Sequence, residues 1–383
     1  MLEIPRRITS DTAPKIHEYF EISNVLYISG PNCCGKTYVV QQFLTEFDAD
    51  KVVTLSGDDM MQRITLMNAN VDELLPILKN REILFIDDAE RVPKALDTID
   101  AIKKMYPELK IIAAFSTREV EDFNQIRVYP VSFYTLKQLY PSYEDSEILN
   151  EVMIYGALPE VLGSPTLNEK QAVLSRVVNS DMLKDVFELE KITHSKSLMD
   201  LLYFLALKIN KTLSINEISE HVNINPKTVK RYIKILEKHY VIHEHIPYKK
   251  KIRTEVSQFS RYYFYDMGVR NALINNFAPF NMRDDVENIW VNFMIMERHK
   301  HQELNGISHT LDYESFFWEL WGGKAIDLVE VDKRGEGSNI NAFNFGFSNV
   351  VRTHSKVPTI FTNNYPCAKY MLVSQTNFND FIG

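Results

Sequence analysis

The sequence predicts an α/β protein whose N-terminal part is built on a parallel sheet. Apolar segments rich in strand-forming residues, at 25–29, 52–55, 82–86 and 110–115, alternate with stretches of helical periodicity. Strands that alternate with helices form parallel sheets with crossover helices. Polar residues follow three of these strands, and open α/β sheets bind ligands at the carboxyl ends of their strands. We therefore expect a ligand site at that edge.

Length and composition set the outer limits of the interpretation. A chain of 383 residues is too long for one ordinary core, so two or three domains are expected. No apolar run reaches the roughly 18–20 residues of a membrane span, and no secretory signal follows Met1–Arg7. We therefore expect no membrane partner. Three cysteines do not make a disulfide framework, so we expect a protein of the reducing cytoplasm. The net charge of −8 argues against a surface that coats nucleic acid everywhere, but it leaves room for a local basic face.

Residues 30–37 carry the strongest motif. They fit the pattern G-x-x-x-x-G-K-[ST] between a strand and a helix, the phosphate-binding loop (P-loop) of nucleoside triphosphatases. Lys36 is expected to neutralise the β- and γ-phosphates of ATP, and Thr37 to bind Mg²⁺; a chance Gly-Lys-Thr turn is the alternative. The predicted nucleotide contacts are Gly30, Pro31, Asn32, Cys33, Cys34, Gly35, Lys36, Thr37, Tyr38 and Ser116.

Two carboxylates follow the strand at 82–86. Asp87 is expected to hold Mg²⁺ through water, together with Thr37. Asp88 occupies the position that polarises the attacking water, where hydrolysing relatives usually have Glu. Its side chain is one methylene shorter, which makes slow hydrolysis an alternative. Glu90 either assists or is a solvated helix residue, and the Asp pair alone could cap a helix. The predicted catalytic residues are Lys36, Asp87 and Asp88.

Residues near this site have further candidate roles. Ser116 or Thr117, at the end of the strand at 110–115, is placed to sense the γ-phosphate. Arg118 is an arginine finger or, in the interpretation we favour, a surface arginine. Cys33 and Cys34 near a helix N-terminus could have a lowered pKa and make ATP binding redox-sensitive, although small filler residues are the favoured reading.

Residues 213–236 have the layout of a helix-turn-helix. Pro226 begins the second helix, and basic residues lie largely opposite its apolar face. A hairpin like the wing of a winged helix would contain Lys249–Arg253. One interpretation is contact with double-stranded DNA in the major groove; the other is domain packing or dimerisation. The candidate DNA contacts are Lys227, Lys230, Arg231 and Lys234.

With these motifs, nearly the whole chain resembles a family of prokaryotic AAA-type ATPases with a winged helix and a C-terminal restriction-endonuclease-like domain. The family-like motifs are at 86–93, 129–133, 155–160 and 263–268. The resemblance implies an ATPase domain at 1–145, a helical lid at 146–210, a winged-helix module at 211–266 and an endonuclease-like domain at 267–383. It supplies no pathway.

The last domain departs from the pattern that the resemblance implies. Glu297 and Asp327 lie where the family's nuclease acids belong, but Asn344 and Gly346 replace the Glu-x-Lys pair. Without that acid and lysine, a metal site lacks a ligand and its water activator, so nuclease activity is not expected. Residues 330–333 are possible substitutes if the register is wrong. The histidines at 243, 245, 299 and 301 are expected to be ordinary surface residues.

These observations favour an ATP-binding and ATP-hydrolysing switch that acts on DNA or protein partners or self-associates. The alternative is a DNA-binding regulator that binds ATP without appreciable hydrolysis. An active nuclease is a third hypothesis, motivated only by the acids Glu297 and Asp327.

Overall fold

A computed structural model of the chain describes residues 13–68, 71–118, 124–192, 194–248, 258–305, 313–333, 339–347 and 357–382. These ranges form three sheets with helices around and between them. Within them, no helix is both long enough and apolar enough to cross a membrane.

The first sheet has five parallel strands in the order β2-β3-β4-β1-β5. Its strands are β1 (Val25–Ser29), β2 (Val52–Ser56), β3 (Ile83–Asp87), β4 (Lys110–Phe115) and β5 (Gln125–Arg127), and its helices are α1 (Ala13–Ile22), α2 (Lys36–Leu44), α3 (Met60–Asn68), α4 (Val71–Leu78) and α5 (Ala95–Met105). Successive residues of β3 face opposite sides of the sheet: Leu84 packs in one apolar cluster and Phe85 in another. Burial on both faces explains why these strands are continuously apolar. The predicted parallel α/β sheet is confirmed.

A helical region follows the first sheet. Its helices are α6 (Phe133–Leu139), α7 (Asp145–Tyr155), α8 (Pro159–Leu162), α9 (Leu167–Arg176), α10 (Met182–Leu189) and α11 (Ser195–Leu207). Thr166 and Glu169 form a capping box that fixes the start of α9. A π-helical turn, Val177–Asp181, joins α9 to α10.

The next elements are β6 (Leu213–Ser214), α12 (Ile215–Val222), α13 (Pro226–Lys238), β7 (Ile242–His245) and β8 (Phe259–Phe264). The strands form an antiparallel sheet in the order β6-β8-β7. Ser214 caps α12 and Asn225 caps α13, while Pro226 occupies the first turn of α13, as the sequence predicts. The predicted wing residues Lys249–Arg253 lie outside the described residues.

The C-terminal elements are α14 (Met267–Leu273), α15 (Val286–Leu304), β9 (Tyr313–Glu319), β10 (Ala325–Asp332), β11 (Asn339–Gly346), α16 (Thr359–Asn364), β12 (Lys369–Ser374) and α17 (Asn379–Ile382). Their sheet has the order β12-β11-β10-β9, antiparallel except for the β11–β12 pair. The chain after β7 joins this sheet at β9: Tyr248 donates its backbone N–H to Phe317 O at 2.6 Å, and Phe317 N–H donates to Ile246 O at 3.1 Å.

Helix α15 connects the C-terminal sheet to the rest of the chain. One apolar cluster contains Leu136 of α6, Val152 of α7, Trp290 of α15 and Phe345 of β11. Helix α15 therefore packs on the C-terminal sheet and on α6 and α7, and its last turn reaches the first sheet.

Candidate functional site

The phosphate loop lies between β1 and α2. Gly35, directly before α2, has φ of 96°, a left-handed conformation that favours glycine. A Cβ atom on Gly30 would overlap the carbonyl oxygen of Val128, so the loop packs directly on the chain after β5. These contacts fix the loop at the start of α2, where free N–H groups and the helix dipole favour an anion.

Lys36, Thr37 and Asp87 lie together at the base of this loop. Lys36 is 8% exposed, and its Nζ donates to the carbonyl oxygens of Gly30 at 3.0 Å and Pro31 at 2.7 Å. Thr37 Oγ1 donates to Asp87 Oδ1 at 3.1 Å, across 50 residues of sequence. Hydroxyl and carboxylate oxygens are ligands that Mg²⁺ accepts, so these two residues fit the metal that ATP requires.

Asp88 lines the cleft beside the loop. Its backbone is left-handed, with φ of 48°, and its Oδ2 lies 3.5 Å from Ser56 Oγ. Burial first, and then the charge of Asp87, raise the pKa of Asp88, while Lys36 opposes the rise. A carboxylate with a raised pKa is a stronger proton acceptor.

Glu90 is a buried residue, 9% exposed, so the interpretation of it as a solvated helix residue is wrong. Its Oε2 accepts the backbone N–H of Ser116 at 3.0 Å. Its Oε1 has no hydrogen-bond partner among the residues that the structure describes. Burial raises the pKa of Glu90 to about 7, against the effect of Lys36. Sequence reasoning missed this burial because the short helical turn after β3 folds under the sheet edge.

The cleft has a volume of about 740 Å³ and is lined by residues from six segments of the chain. Residues 32–39, from the phosphate loop and the start of α2, line it together with Asp88 and Ser116. The predicted contacts Gly30 and Pro31, at the start of the loop, are buried and do not line the cleft; their carbonyl oxygens accept from Lys36. The lining that the sequence did not predict includes Arg127, Val173, Lys300, Glu303 and Leu304.

The C-terminal helix α15 forms one wall of the cleft. Glu303 accepts from Arg127 at 3.3 Å. Lys300 donates to Glu297 Oε1 at 2.6 Å, and the other oxygen of Glu297 accepts the backbone N–H of Phe133 at 2.8 Å. Glu297, expected from the resemblance at the position of a nuclease acid, therefore caps the start of α6.

The family-like motifs at 129–133, 155–160 and 263–268 contact one another, and residues of the first two motifs line the cleft. Asp266 accepts the N–H of Ala157 at 2.7 Å and caps α14. A Cβ atom on Gly156, whose φ is 77°, would overlap the Asp266 carboxylate, and one on Gly268 would overlap Tyr155 O. Val131 N–H donates to Ala157 O at 2.9 Å. The glycines thus allow three distant segments to pack backbone against backbone.

The hypothesis of reactive thiols in the loop is wrong. Burial, with the charge of Asp181, raises the pKa of Cys33 to about 12. Cys34 is buried and contacts Val128 O at 3.2 Å, and burial raises its pKa as well. Desolvation therefore outweighs the favourable effect of the helix N-terminus.

Other predicted residues lie away from the cleft. The candidate DNA contacts Lys227, Lys230, Arg231 and Lys234 are exposed on α13. Arg118 is exposed, as favoured, with its guanidinium 5.1 Å from the ring of Tyr240, and it does not line the cleft. The histidines differ from expectation, because His245 and His299 are buried.

Asp327, the second acid that aligns with the nuclease pattern, contacts protein groups. Its Oδ1 accepts from Arg261 Nη1 at 3.3 Å and its Oδ2 accepts Phe345 N–H at 3.1 Å. Asn344 accepts the backbone N–H of Asp327 at 2.9 Å. Arg261 also pairs with Glu319 at 3.1 Å, so one buried guanidinium neutralises two carboxylates.

Two parts of the chain match known protein families. Residues 23–141 match a family described as an AAA domain. Together with the phosphate loop and the parallel sheet, this match shows that the first region has the fold of a P-loop AAA domain. Residues 146–279 match a domain of unknown function (DUF8612). Neither match spans half of the chain, and a search of curated proteins found no match.

Solved structures match this chain at low similarity. The Walker-type ATPase PABY2304 of Pyrococcus abyssi is 14% identical, with a TM-score of 0.48 over 69% of this chain and 95% of its own. A structure of two coordinating Pif1 helicases at forked double-stranded DNA is 15% identical (TM-score 0.25, 45% of this chain, 52% of that chain). A DNA replication initiation factor is 17% identical (TM-score 0.26, 58% of this chain, 86% of that chain).

Proposed function

We propose that the protein binds and hydrolyses Mg-ATP in this cleft and acts as a nucleotide-driven switch on DNA or protein partners. The observation that carries the proposal is the 3.1 Å bond between Thr37 and Asp87 in a cleft lined by the phosphate loop. It joins the two halves of a nucleotide site at the edge of a parallel sheet, where such sites occur. The cytoplasm remains a prediction from the cysteine content.

The residues of the cleft supply distinct functions in this proposal. Thr37 and Asp87 would hold Mg²⁺, which adds positive charge against the phosphate oxygens. Lys36 is held by neutral carbonyl oxygens rather than by a carboxylate, so its charge is available to the β- and γ-phosphates.

Asp88 is our candidate for the group that orients the attacking water and accepts its proton. It lines the cleft, and its raised pKa favours proton transfer. Glu90 does not line the cleft; it holds the N–H of Ser116, which does. Glu90 is therefore a positioning residue for the end of β4 rather than a second base.

Helix α13 is the candidate output of the switch. The order of elements from α11 to β8, with a sheet of order β6-β8-β7, supports a winged-helix arrangement with α13 as the recognition helix. The four candidate contacts at 227, 230, 231 and 234 face solvent, while Val229, Tyr232 and Leu236 are buried. Phosphate contact from this face is the proposed mode of DNA binding.

Steady-state ATP hydrolysis with Mg²⁺ tests the proposal. Lys36→Ala and Asp88→Asn should each lower turnover by at least about 100-fold, because each removes a group specific to the transition state. Lys230→Ala, an exposed lysine far along the chain, is the matched control and should retain turnover. Wild-type protein that binds no ATP would disprove the proposal.

A DNA-binding regulator that uses ATP as a ligand is the second candidate function. The exposed basic face of α13 and the short side chain of Asp88 favour it. ATP binding without turnover would support it, together with duplex binding that weakens steeply between two salt concentrations. Replacing Lys227, Lys230, Arg231 and Lys234 by Ala should abolish that binding and its salt dependence. Duplex binding unchanged by the replacement would rule out this face of α13 as the contact.

A further inference from the structure

Helix α10 contacts the phosphate loop with one residue and α13 with another. Asp185 accepts from Asn32 Nδ2, in the loop, at 2.9 Å, and its other oxygen pairs with Arg91. Glu190, directly after α10, accepts from Lys238 Nζ at the end of α13 at 2.8 Å. The helix therefore joins the nucleotide cleft to the helix with the basic face.

The three acids that pair with Arg91 differ in burial. Besides Asp185, its guanidinium lies 3.0 Å from Glu188 and 3.4 Å from Asp58. Asp185 is 7% exposed, whereas the side chains of Glu188 and Asp58 are half exposed. A buried carboxylate beside the loop repels an incoming phosphate far more than a solvated one does. Asp185 is thus the buried acid that contacts Asn32, a loop residue that lines the cleft.

We propose that Asp185 competes with the γ-phosphate of ATP for Arg91 and Asn32, and that its displacement moves α10 and, through Glu190, α13. The inference rests on the proposed binding of ATP. A phosphate group offers an arginine more charge and a better bidentate match than one carboxylate does. ADP lacks the γ-phosphate, so it leaves the contacts of Asp185 in place. Arg91 is then the residue that distinguishes the two nucleotides.

The helical connection allows α10 to move separately from α9. The π-helical turn Val177–Asp181 lies between them, and such turns occur at functional sites and at changes of helix direction. Arg176, directly before this turn, pairs with Asp181, the last residue of the turn, and with Glu160 of α8. Val173 of α9 lines the cleft, so α9 stays with the nucleotide while α10 responds to its last phosphate.

The end of α13 has further contacts with the ATPase sheet. Arg118 donates its backbone N–H to Lys238 O at 2.8 Å, and Tyr240 Oη donates to Ser29 Oγ at 3.0 Å. These bonds hold the end of α13 to the ends of β4 and β1. Release of Glu190 would therefore change the orientation of α13 without detaching it.

Nucleotide affinities test the sensing step. Asp185→Asn should bind ATP about tenfold more tightly, with ADP affinity changed by no more than about twofold. Glu188→Gln, a partner of Arg91 that does not contact Asn32, is the matched control and should behave as wild type. Arg91→Ala should lower the preference for ATP over ADP, and Arg91→Lys should restore part of it. Equal shifts for both nucleotides in Asp185→Asn, or the same shift in Glu188→Gln, would overturn the inference.

Hydrogen exchange of the segment 226–245 tests the transmission step. In wild type, exchange with ATP should differ from exchange with ADP. Glu190→Gln should keep the ATP preference but lose this difference, because it weakens the bond to Lys238. A difference that persists in Glu190→Gln, or identical exchange in wild type with both nucleotides, contradicts transmission through α10. Wild-type protein that binds neither nucleotide overturns both this inference and the proposed function.

Discussion

Two strand carboxylates of this chain have opposite surroundings. Asp87, at the end of β3, contacts Thr37 beside a cleft of about 740 Å³. Asp327, on β10, contacts the guanidinium of Arg261, a buried side chain that also pairs with Glu319. The first carboxylate contacts Thr37, which lines space that a ligand can fill, whereas the second is neutralised by an arginine of the chain itself.

The difference shows why a carboxylate after or within a strand is not by itself a site. An acid can bind a metal only when its oxygens are not already used by a fixed cation. Arg261 comes from β8, far from Asp327 in sequence, and no local pattern around Asp327 reveals it. For Asp87 the sequence does offer a signal, because its partner Thr37 belongs to one contiguous motif.

Removal of the Arg261 guanidinium should have the largest effect on stability. Arg261→Met should lower the free energy of unfolding by about 3–5 kcal/mol, because it leaves Asp327 and Glu319 as partly buried, uncompensated charges. Lys324→Met, an exposed cation of the same region, should change it by less than about 0.5 kcal/mol. Urea unfolding measures both. Recovery in the double variant Arg261→Met/Asp327→Asn would confirm the cause; a loss below about 1 kcal/mol for Arg261→Met contradicts it.

Two glycines with similar positive φ give a second comparison of stability. Gly156→Ala should destabilise the protein by about 2–4 kcal/mol, since it combines positive φ with overlap on Asp266. Gly323 has nearly the same φ, 78°, but nothing lies near its missing Cβ atom. Gly323→Ala should therefore cost only about 1 kcal/mol. Equal midpoints in thermal unfolding for the two variants would show that the loss of stability comes from the positive φ and not from the overlap with Asp266.

Acid should act on the region of Arg261 through His245. Burial, and then the charge of Arg261, lower the pKa of His245 to about 3. In the unfolded chain the pKa of His245 is near 6.5, so between pH 6.5 and 3 the unfolded state binds a proton that the folded state does not. This contribution to stability is complete above pH 6.5 and is lost as pH falls toward 3. The free energy of unfolding then falls by up to about 1.4 kcal/mol per pH unit.

Unfolding free energies at pH 7, 6 and 5 measure this effect. His245→Phe, which can pack on Tyr263 and Phe317, should reduce the acid loss. His221→Phe, at an exposed position, is the control and should leave it unchanged. If the unfolding free energy of His245→Phe falls with pH as steeply as that of the wild type, His245 is excluded as the source of the acid loss.

The smallest expected effect concerns the thiols of the phosphate loop. Cys367 is exposed, whereas burial raises the pKa of Cys33 to about 12. Iodoacetamide at pH 8 should therefore modify Cys367 at least about 100-fold faster than Cys33, because the thiolate is the reactive form. Mass spectrometry of digested protein gives the rates. Modification of Cys33 at a comparable rate would restore redox control as a hypothesis.

Local patterns predicted much of this fold. The apolar strand segments, the phosphate loop and the helix-turn-helix each depend on residues close in sequence, and the structure contains each of them. Lys36, Thr37 and Asp87 also lie together as expected. The assignment of catalytic roles to them, and of DNA contact to α13, remains a prediction.

The remainder depends on residues that only the tertiary fold brings together. Lys300 and Glu303 line the cleft because α15 returns to the first sheet after more than half of the chain. The burial of Glu90, and of His245 beside Arg261, depends on packing that polar residue types do not signal. The pairing of Arg91 with Asp185 likewise has no local pattern, although it is central to the proposed switch.

The short pairing of Ile246–Tyr248 with Phe317 has a consequence for dissection of the protein. A strand at the border of a sheet presents unpaired N–H and C=O groups that attract other chains. Here a neighbouring part of the same molecule covers part of β9. A fragment that begins after residue 266 would uncover it, and we expect such a fragment to self-associate at concentrations where the whole chain stays dispersed.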